Sequence, residues 1–439
     1  MHEEKKKKKI SATGKILIGL ILGIVLGFIL NYIVPDSYIK NDVIINGMLY
    51  VVGNGFLKLM KMLVVPLVFT SLICGAAAIG DTKTLGKVGV KTIILYICTT
   101  ALAVTVAISI ANIINPGTGL NMEQLQSASA SGSNIVQTAQ DSQNTNFAET
   151  LLNIIPDNPF NSLSSGIMLQ VIVFALIVGV LLAKMGERAE LIFNFASQCN
   201  DLMMEMTMLV MKAAPVGVFC LIAKTFSGLG LDAIIPLFKY VISVIAALAV
   251  QCLGVYMLLL FVFTRLNPFR FFKKFLPVFG FAFSTATSNA TIPLSIETLE
   301  NKMGVSKKIS SFTIPLGATI NMDGTSIMQG VAVVFAAQAY GIHLGIGGYL
   351  TVIATATLAS IGTAGVPSVG LITLSMVFES VGLPIEAIAL IMGIDRILDM
   401  IRTAVNVTGD AVCTTIVAFQ NKAVNLDRFR QDDKKSENE

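Results

Sequence analysis

The chain has 439 residues, of which 54% are hydrophobic and only 13% charged, and its formal net charge is +4. A mean hydropathy of +0.76 excludes a soluble globular domain and predicts a multi-pass membrane protein. The small positive charge suits short loops at a membrane surface and does not indicate a nucleic-acid partner. Two histidines, and six cysteines without a Cys-x-x-Cys motif, argue against a His- or Cys-based metal site and against a disulfide framework.

The first predicted element is a membrane helix at Ile16–Val34, preceded by a basic run at Lys5–Lys9. The apolar stretch is about 20 residues long, enough to cross ~30 Å of hydrocarbon. A cleaved signal peptide would have a shorter core and a small-residue cleavage site, so we expect a retained helix oriented by the lysines. Further apolar spans are expected at Gly47–Ala78, Val88–Ile114, Leu151–Leu182, Ile192–Ala223 and Ala233–Phe263.

The distribution of basic residues predicts the topology. No lysine or arginine occurs between Lys91 and Lys184, and this gap contains a polar segment at Asn115–Glu149 with the composition of a flexible loop. By the positive-inside rule the segment is external and both termini are cytoplasmic. We therefore expect a protein of the cell membrane without a separate soluble domain.

Two hydrophobic stretches in the second half, Phe283–Pro293 and Leu358–Ser368, are interrupted by small and polar residues. Each contains a proline, which a continuous helix tolerates poorly. Each is followed by an Asn-x-x-Gly sequence, at Asn321–Gly324 and Asn406–Gly409, where we expect a second break. Paired interruptions predict a substrate site built from broken helices near the middle of the membrane. Ordinary kinked helices are the alternative.

A polar stripe runs along the last apolar helix, between Gly393 and Ala411. Charged side chains inside a membrane are costly and normally face a protein interior or a cavity, so the stripe predicts a binding site. A structural ladder of ion pairs is the alternative. At about 100° per residue, a sector of about 80° contains Asp395, Asp399, Arg402, Asn406 and Asp410, with Thr403 at its edge.

The chemistry of the stripe fits a zwitterion that carries a second acid group. Arg402 offers a planar fork for a carboxylate, Asp399 can take an ammonium group, and Asn406 can bind the backbone carboxylate. Ser288 and Val366, in the interrupted stretches, are expected to close over the ligand, where a helix N-terminus also favours an anion. These features predict aspartate or glutamate as the substrate.

The other acids suit a hard cation. Unwinding at Asn321–Thr325 would free main-chain carbonyls and present Asp323, and Asp410 would form a second oxygen cluster with carbonyls near Gly317 and Asn406. Such oxygen ligands fit Na⁺ better than soft metals. A polar patch on the third helix either completes the Asp323 site or serves packing alone; it consists of Tyr96, Thr99 and Thr100.

These motifs resemble those of prokaryotic glutamate/aspartate transporters, the dicarboxylate/amino acid:cation symporter family. Asn-Met-Asp-Gly-Thr at 321–325 is similar to the family's unwound seventh helix, and Ser-Ile-Gly-Thr-Ala-Gly-Val-Pro at 360–367 to its second hairpin tip. The sequence at 395–410 is similar to its eighth helix. The resemblance extends from the first helix to about Lys422, and further matches are Lys61–Pro66 and Asn153–Pro159.

The resemblance implies an all-α multi-pass membrane protein with eight transmembrane helices, two re-entrant helical hairpins, inverted repeats and a homotrimeric assembly. Each subunit would combine a static scaffold with a transport domain that moves as a rigid body, so we expect a transporter and not an enzyme. We expect the scaffold to comprise the N-terminal tail with helices 1 and 2 at 1–80, and helices 4 and 5, which also make the trimer contacts, at 151–225. We expect the transport domain to comprise helix 3 at 81–115, and helix 6 to helix 8 with both hairpins at 226–422. The remaining divisions are an external polar loop at 116–150 and a cytoplasmic tail at 423–439.

The resemblance also implies a substrate site and three Na⁺ sites. Asp399 would bind the substrate amino group and Arg402 its side-chain carboxylate. The substrate site would be completed by Asn406, Thr403, Thr325 and the main chain at Ser288 and Val366. The first Na⁺ would be bound by Gly317, Asn321, Asn406 and Asp410. The second would be bound by Thr319 with carbonyls of Ser360, Ile361 and Thr363. The third would be bound by Tyr96, Thr99, Thr100, Asn321 and Asp323. Asp395 is expected to support the third of these sites.

Three features depart from the family pattern. Ala286–Asn289 stands where many members have an arginine and a serine triplet, so an arginine partner for Asp399 is missing at that place. Ser368 stands where some members have glycine. Arg396 lies about 100° from Asp395, off the stripe, and has no assigned role.

The sequence leaves alternatives open for the substrate, the coupling ion and the class of protein. A C4-dicarboxylate would leave Asp399 without a partner, and a neutral amino acid or cystine would leave Arg402 unpaired, at a cost of about 1–3 kcal/mol or more. Proton coupling is the alternative to Na⁺. Asp323-Gly-Thr is similar to the aspartic-protease signature, but a three-residue pattern is weak and does not account for Arg402. We therefore expect Na⁺-coupled uptake of an acidic amino acid by alternating access.

Overall fold

The computed structural model describes residues 12–80, 87–119, 155–229, 234–361 and 369–431. The basic run Lys5–Lys9, the polar loop from residue 120 onward and the tail from residue 432 lie outside these ranges. Within them the chain is helical, with one isolated antiparallel bridge between Val305 and Val424 and no strand, as the all-α prediction requires. The α-helices of the described ranges are α1 (Ala12–Phe28), α2 (Tyr50–Gly80), α3 (Lys87–Ile114), α4 (Pro159–Ser165), α5 (Met168–Met185), α6 (Glu190–Met211), α7 (Ala214–Leu229), α8 (Ile234–Ala249), α9 (Tyr256–Thr264), α10 (Pro268–Thr285), α11 (Ser288–Asn301), α12 (Lys307–Ile320), α13 (Asp323–Ala339), α14 (Ile346–Ser360), α15 (Val369–Ser380), α16 (Ile388–Gln420) and α17 (Leu426–Arg430).

Four helical segments of the described ranges are long and apolar enough to cross a membrane; they are Ile39–Cys74, Val88–Ile114, Gln170–Val210 and Ile234–Thr264. They exceed the ~20 residues that a bilayer needs, so tilting is expected. The predicted spans Leu151–Leu182 and Ile192–Ala223 are divided differently in the structure. Gly166, with φ +68°, ends α4, and α6 ends at Met211, four residues before Pro215.

Both interrupted stretches separate helices that pack against each other. α10 ends at Thr285, Ala286 adopts a left-handed conformation with φ 50°, and α11 begins at Ser288. Pro293 lies inside α11, so the proline does not mark the break. α14 ends at Ser360 and packs against α15, and the predicted tip between them, including Thr363, Val366 and Ser368, lies outside the described residues.

The two Asn-x-x-Gly sequences behave differently. The chain leaves the helical path at Asn321 and Met322 and resumes as α13 at Asp323, so the first break is present but narrower than predicted. The predicted break at Asn406–Gly409 is wrong, because α16 is continuous from Ile388 to Gln420. Gly409 serves close packing instead, since a Cβ atom there would lie 2.5 Å from Tyr256 Oη.

Helix α16 lies at the centre of the fold. It contacts α3 and every helix from α7 to α13, and all of its residues from Arg402 to Ala418 are buried. α13, which packs along it, is buried on all sides. The polar stripe of α16 therefore faces protein and not lipid, as expected for charged side chains at membrane depth.

Candidate functional site

Arg402 is fully buried, and its guanidinium group binds two carboxylates. Nη1 donates to Asp395 Oδ1 at 2.5 Å, and Nη2 donates to Asp399 Oδ1 at 2.8 Å and to Asp395 Oδ2 at 3.4 Å. Spacings of seven and three residues place both acids on the face of α16 that carries Arg402. The structure therefore places Asp395 beside Arg402, and its described hydrogen bonds are to Arg402 and not to the residues predicted for the site near Asp323.

Arg396 supplies a second arginine to the same group. Its Nη1 donates to Asp399 Oδ2 at 3.2 Å, and its side chain is 15% exposed. Asp399 thus lies between two guanidinium groups, and α16 itself provides an arginine partner that is missing from Ala286–Asn289. The i, i+3 spacing of the pair was visible in the sequence, although Arg396 lies off the stripe. We call Asp395, Arg396, Asp399 and Arg402 the arginine cluster.

Two glycines let neighbouring helices approach Arg402. A Cβ atom at Gly324 would lie 2.6 Å from the main-chain oxygen of Arg402, and one at Gly370 would lie 2.9 Å from Thr325 Cγ2 and 3.4 Å from Arg402 Nη2. α13, α15 and α16 therefore meet at the guanidinium group. Arg402 Nε is buried there and has no hydrogen-bond partner among the described residues.

The structure brings some of the predicted substrate-site residues into this region. Asn406 Oδ1 accepts a hydrogen bond from Gly324 N at 2.6 Å, which ties α16 to the first turn of α13. Thr403 Oγ1 donates to Asp399 O at 2.8 Å, so this hydroxyl turns toward its own helix. Ser288 is buried at the first position of α11, which packs against α16.

Asp323 is fully buried and accepts hydrogen bonds at both carboxylate oxygens. Thr100 Oγ1 donates to Oδ1 at 2.5 Å, and Tyr256 Oη and Gln251 Nε2 donate to Oδ2 at 2.7 Å and 3.4 Å. We call these four residues the Asp323 cluster. Thr100 was predicted for this site, whereas Gln251 and Tyr256 were not.

A π-helical turn explains how Gln251 and Tyr256 reach one carboxylate. Residues five apart in a regular α-helix point in different directions, but Val250–Val255 is π-helical, and its i→i+5 hydrogen bonds align them on one face. The signal available in the sequence was the amide side chain of Gln251 inside the apolar span Ala233–Phe263. Polar side chains in such a span, and π-helical turns, both mark functional sites.

A second group of polar atoms adjoins the Asp323 cluster. Asn321 Nδ2 donates to Asp410 Oδ1 at 2.9 Å, and Thr99 Oγ1 lies 3.3 Å from Asn321 Oδ1. A Cβ atom at Gly317 would lie 2.5 Å from Asp410 Oδ1 and 2.7 Å from Tyr96 Oη. The polar patch on α3 therefore contacts the residues around Asp323 and Asp410 and does not serve packing alone. We call this group the Asp410 cluster.

Of the residues predicted for the remaining Na⁺ site, Thr319, Ser360 and Ile361 are described and lie next to the break in the chain, whereas Thr363 lies outside the described residues. Ser360 Oγ donates to Ile320 O at 3.0 Å, which brings the end of α14 to the end of α12. Thr319 Oγ1 donates to Leu316 O at 2.9 Å within α12, and Ile361 is buried directly after α14.

The acceptor atoms of these clusters are oxygens, the ligands that hard cations prefer. The described residues contain no group of three or more His, Cys, Asp or Glu side chains that would hold a metal ion. The Asp323 and Asp410 clusters instead combine single carboxylates with hydroxyl, phenol and amide oxygens. Divalent and transition metals favour sites with more charge or softer ligands.

Comparison with known proteins gives matches over nearly the whole chain. The model of the sodium:dicarboxylate symporter family matches residues 13–419. A proton/sodium-glutamate symport protein of Geobacillus stearothermophilus is 39% identical over 87% of this chain and 89% of its own. A proton/glutamate-aspartate symporter of Escherichia coli is 37% identical over 86% of each chain. Excitatory amino acid transporter 3 of Oryctolagus cuniculus is 32% identical over 84% of this chain and 79% of its own.

Proposed function

Since the chain belongs to the sodium:dicarboxylate symporter family, we propose that it takes up aspartate or glutamate by Na⁺-coupled symport. It is a membrane symporter of the glutamate/aspartate type and not an enzyme. The names of its bacterial relatives include both sodium and proton, so the choice of Na⁺ rests on the chemistry of the site.

The observation that carries the proposal is the buried arginine cluster. Its two arginines and two aspartates balance in charge, and Arg402 keeps a buried Nε donor without a partner among the described residues. A substrate side-chain carboxylate binds Arg402 through its fork of donors, while the substrate ammonium group takes an oxygen of Asp399. The substrate thereby replaces contacts that the cluster makes within itself, which limits the cost of moving charges out of water.

Substrate and cation are coupled through charge. An acidic amino acid adds one net negative charge to a region that already holds the buried carboxylates of Asp323 and Asp410. In a medium of low dielectric constant such charges repel strongly, so a bound cation lowers the free energy of substrate binding. This is the thermodynamic requirement for symport.

Na⁺ is the cation we assign to these carboxylates. Asp323 Oδ2 accepts hydrogen bonds from Tyr256 Oη and Gln251 Nε2, which orient the carboxylate, and carboxylate, hydroxyl and carbonyl oxygens together are the ligands that hard cations prefer. The ligand sets are Gly317, Asn321, Asn406 and Asp410 for one ion, Thr319 with carbonyls of Ser360, Ile361 and Thr363 for a second, and Tyr96, Thr99, Thr100, Asn321 and Asp323 for a third. Gln251 and Tyr256 hold Asp323 in place.

Transport follows an elevator-type mechanism in a homotrimer with cytoplasmic termini. The mobile domain comprises 81–115 and 226–422, and the scaffold comprises 1–80 and 151–225. In support, α3, α8 to α13 and α15 pack against α16, whereas α1 packs mainly with α7, and α2 with α5 and α6; α7 and α1 also contact α16, where the two domains meet. The second hairpin is the gate, because α15 contributes Gly370 next to Arg402.

The experiment that tests this function is uptake of radiolabelled aspartate and glutamate into proteoliposomes. We expect accumulation with an inward Na⁺ gradient and little uptake with an H⁺ gradient alone. Unlabelled glutamate should compete, whereas alanine and succinate should not. Undiminished uptake in Na⁺-free buffer would refute Na⁺ coupling, and equal competition by succinate would refute the role of Asp399.

A further inference from the structure

A cavity of about 300 Å³ lies between α3, α9 and α16, on the outer side of the polar clusters. One end of it lies where α3 begins and where α9 and α16 end, next to Lys91, Phe263 and Gln420. Its volume is at the low end of the range for ligand pockets, which begins at about 300 Å³.

The depth of the cavity matches one leaflet of a bilayer. Its lining runs along α3 from Lys91 to Leu102. At 1.5 Å per residue these eleven steps cover about 16 Å, and half of a hydrocarbon core of ~30 Å is about 15 Å. The lining along α3 is therefore about as long as one leaflet is thick.

The polarity of the lining changes along this depth. Lys91 and Gln420, both exposed, lie at one end, and the described lining residues include no acidic side chain. The rest of the lining is mostly apolar, includes Leu102, Leu259 and Ile416, and is open to the outside along α3, where Leu102 is 45% exposed. A groove that is cationic at one end and apolar along its length is complementary to an anionic head group with an attached hydrocarbon chain, and a polar solute would find few partners inside.

We propose that this cavity binds an anionic phospholipid of the leaflet at the Lys91 end. The phosphate group lies at Lys91 and Gln420, and one acyl chain runs inward along α3 toward Leu102. By the positive-inside rule this is the cytoplasmic leaflet, whose anionic lipids attract basic residues at its surface. Packing of the chain gains little over surrounding lipid, so selectivity comes from the head group at Lys91.

The bound acyl chain also packs against the side of the proposed cation site that faces the cavity. Thr99 lines the cavity, its Oγ1 lies 3.3 Å from Asn321 Oδ1, and its main-chain oxygen accepts a hydrogen bond from Gln251 Nε2 at 3.3 Å. An acyl chain on this wall excludes water from the far side of the Asp323 and Asp410 clusters. Lipid and cation binding are therefore coupled, an inference that rests on the proposed function.

The binding site itself is tested without transport, by photolabelling. The purified protein is reconstituted in phosphatidylcholine vesicles that contain phosphatidylglycerol with a photoreactive group in the acyl chain, and labelled peptides are identified by mass spectrometry. We expect adducts on α3 between Lys91 and Leu102. Leu102→Trp, which fills the cavity, should remove them, whereas Ile97→Trp, at an exposed position of the same helix outside the lining, should not.

The head-group preference is tested with matched charge variants. Lys91→Gln should reduce labelling by phosphatidylglycerol to the level of a phosphatidylcholine probe with the same chain, whereas Lys273→Gln, at another exposed lysine, should leave it unchanged. Equal labelling by both probes in the unmodified protein, or adducts that survive Leu102→Trp, would overturn the proposal, because both results describe ordinary lipid contact.

Coupling to the cation site is measured in the same vesicles. Removing phosphatidylglycerol should raise the half-saturating Na⁺ concentration of aspartate uptake by about fivefold, the low end of typical coupling between sites, and Leu102→Trp should abolish this difference. An unchanged Na⁺ titration in the unmodified protein would refute the coupling. Uptake that needs no Na⁺ would refute the proposed function instead, and the photolabelling result would not depend on it.

Discussion

Replacing Tyr256 with phenylalanine tests whether the Asp323 cluster positions a cation. The substitution keeps the ring, which is fully buried and packs against Gly409 of α16, and removes only the hydroxyl group. Asp323 Oδ2 then loses its donor at 2.7 Å and keeps Gln251 Nε2 at 3.4 Å. The variant therefore perturbs the carboxylate without creating a large cavity.

The expected effect follows from the charge on the acceptor. A hydrogen bond to a charged group contributes about 1.5–3 kcal/mol, and 1.4 kcal/mol is a factor of ten in affinity. If this contribution holds Asp323 in its cation-binding orientation, Tyr256→Phe raises the half-saturating Na⁺ concentration by about 10- to 100-fold. Maximal uptake at saturating Na⁺ should change much less, because the arginine cluster is untouched.

The assay measures aspartate uptake into proteoliposomes as a function of Na⁺ concentration. It is paired with a measurement of the thermal unfolding temperature of the protein in detergent over the same Na⁺ concentrations. Tyr340→Phe is the matched control. Tyr340 is also buried, and it follows the C-terminal end of α13, seventeen residues from Asp323. Its variant should titrate like the unmodified protein. A Tyr256→Phe curve that is unchanged, or displaced to lower Na⁺, would refute the positioning role.

Three further substitutions test the two sites. Arg402→Cys should weaken uptake of aspartate and glutamate by at least about 100-fold, because losing one partner of a buried ion pair costs about 3–5 kcal/mol. Binding of a neutral amino acid should be spared or newly created, and unchanged aspartate affinity would contradict the carboxylate role. Asp410→Asn should move the Na⁺ titration to higher concentration, and an unaltered curve would remove Asp410 from the cation site. Gly370→Ala should raise the half-saturating aspartate concentration, because its methyl group meets Thr325 and Arg402, whereas Gly347→Ala, with no atom within 4 Å of the new methyl group, should have no effect.

The sequence by itself determined the all-helical fold class and the location of the polar stripe on the last long helix. In a bilayer every backbone polar group must be satisfied internally, so long apolar segments become helices. The stripe from Asp395 to Asp410 followed from helical periodicity, and its burial followed from the cost of exposing charge to lipid. The break at Asn321 was also visible, because an Asn-Met-Asp-Gly sequence interrupts an apolar run.

The tertiary structure alone decided which side chains meet. Asp395 pairs with Arg402, and Arg396 with Asp399, although helical geometry allowed several pairings along one face. Gln251 and Tyr256 reach Asp323 through a π-helical turn and across more than sixty residues of chain, a contact that no local pattern contains. For the same reason Gly409 resembles a helix break in the sequence, whereas in the structure it makes room for Tyr256 of α9. Periodicity specifies the face of one helix, whereas the partner of a side chain depends on how separate helices pack.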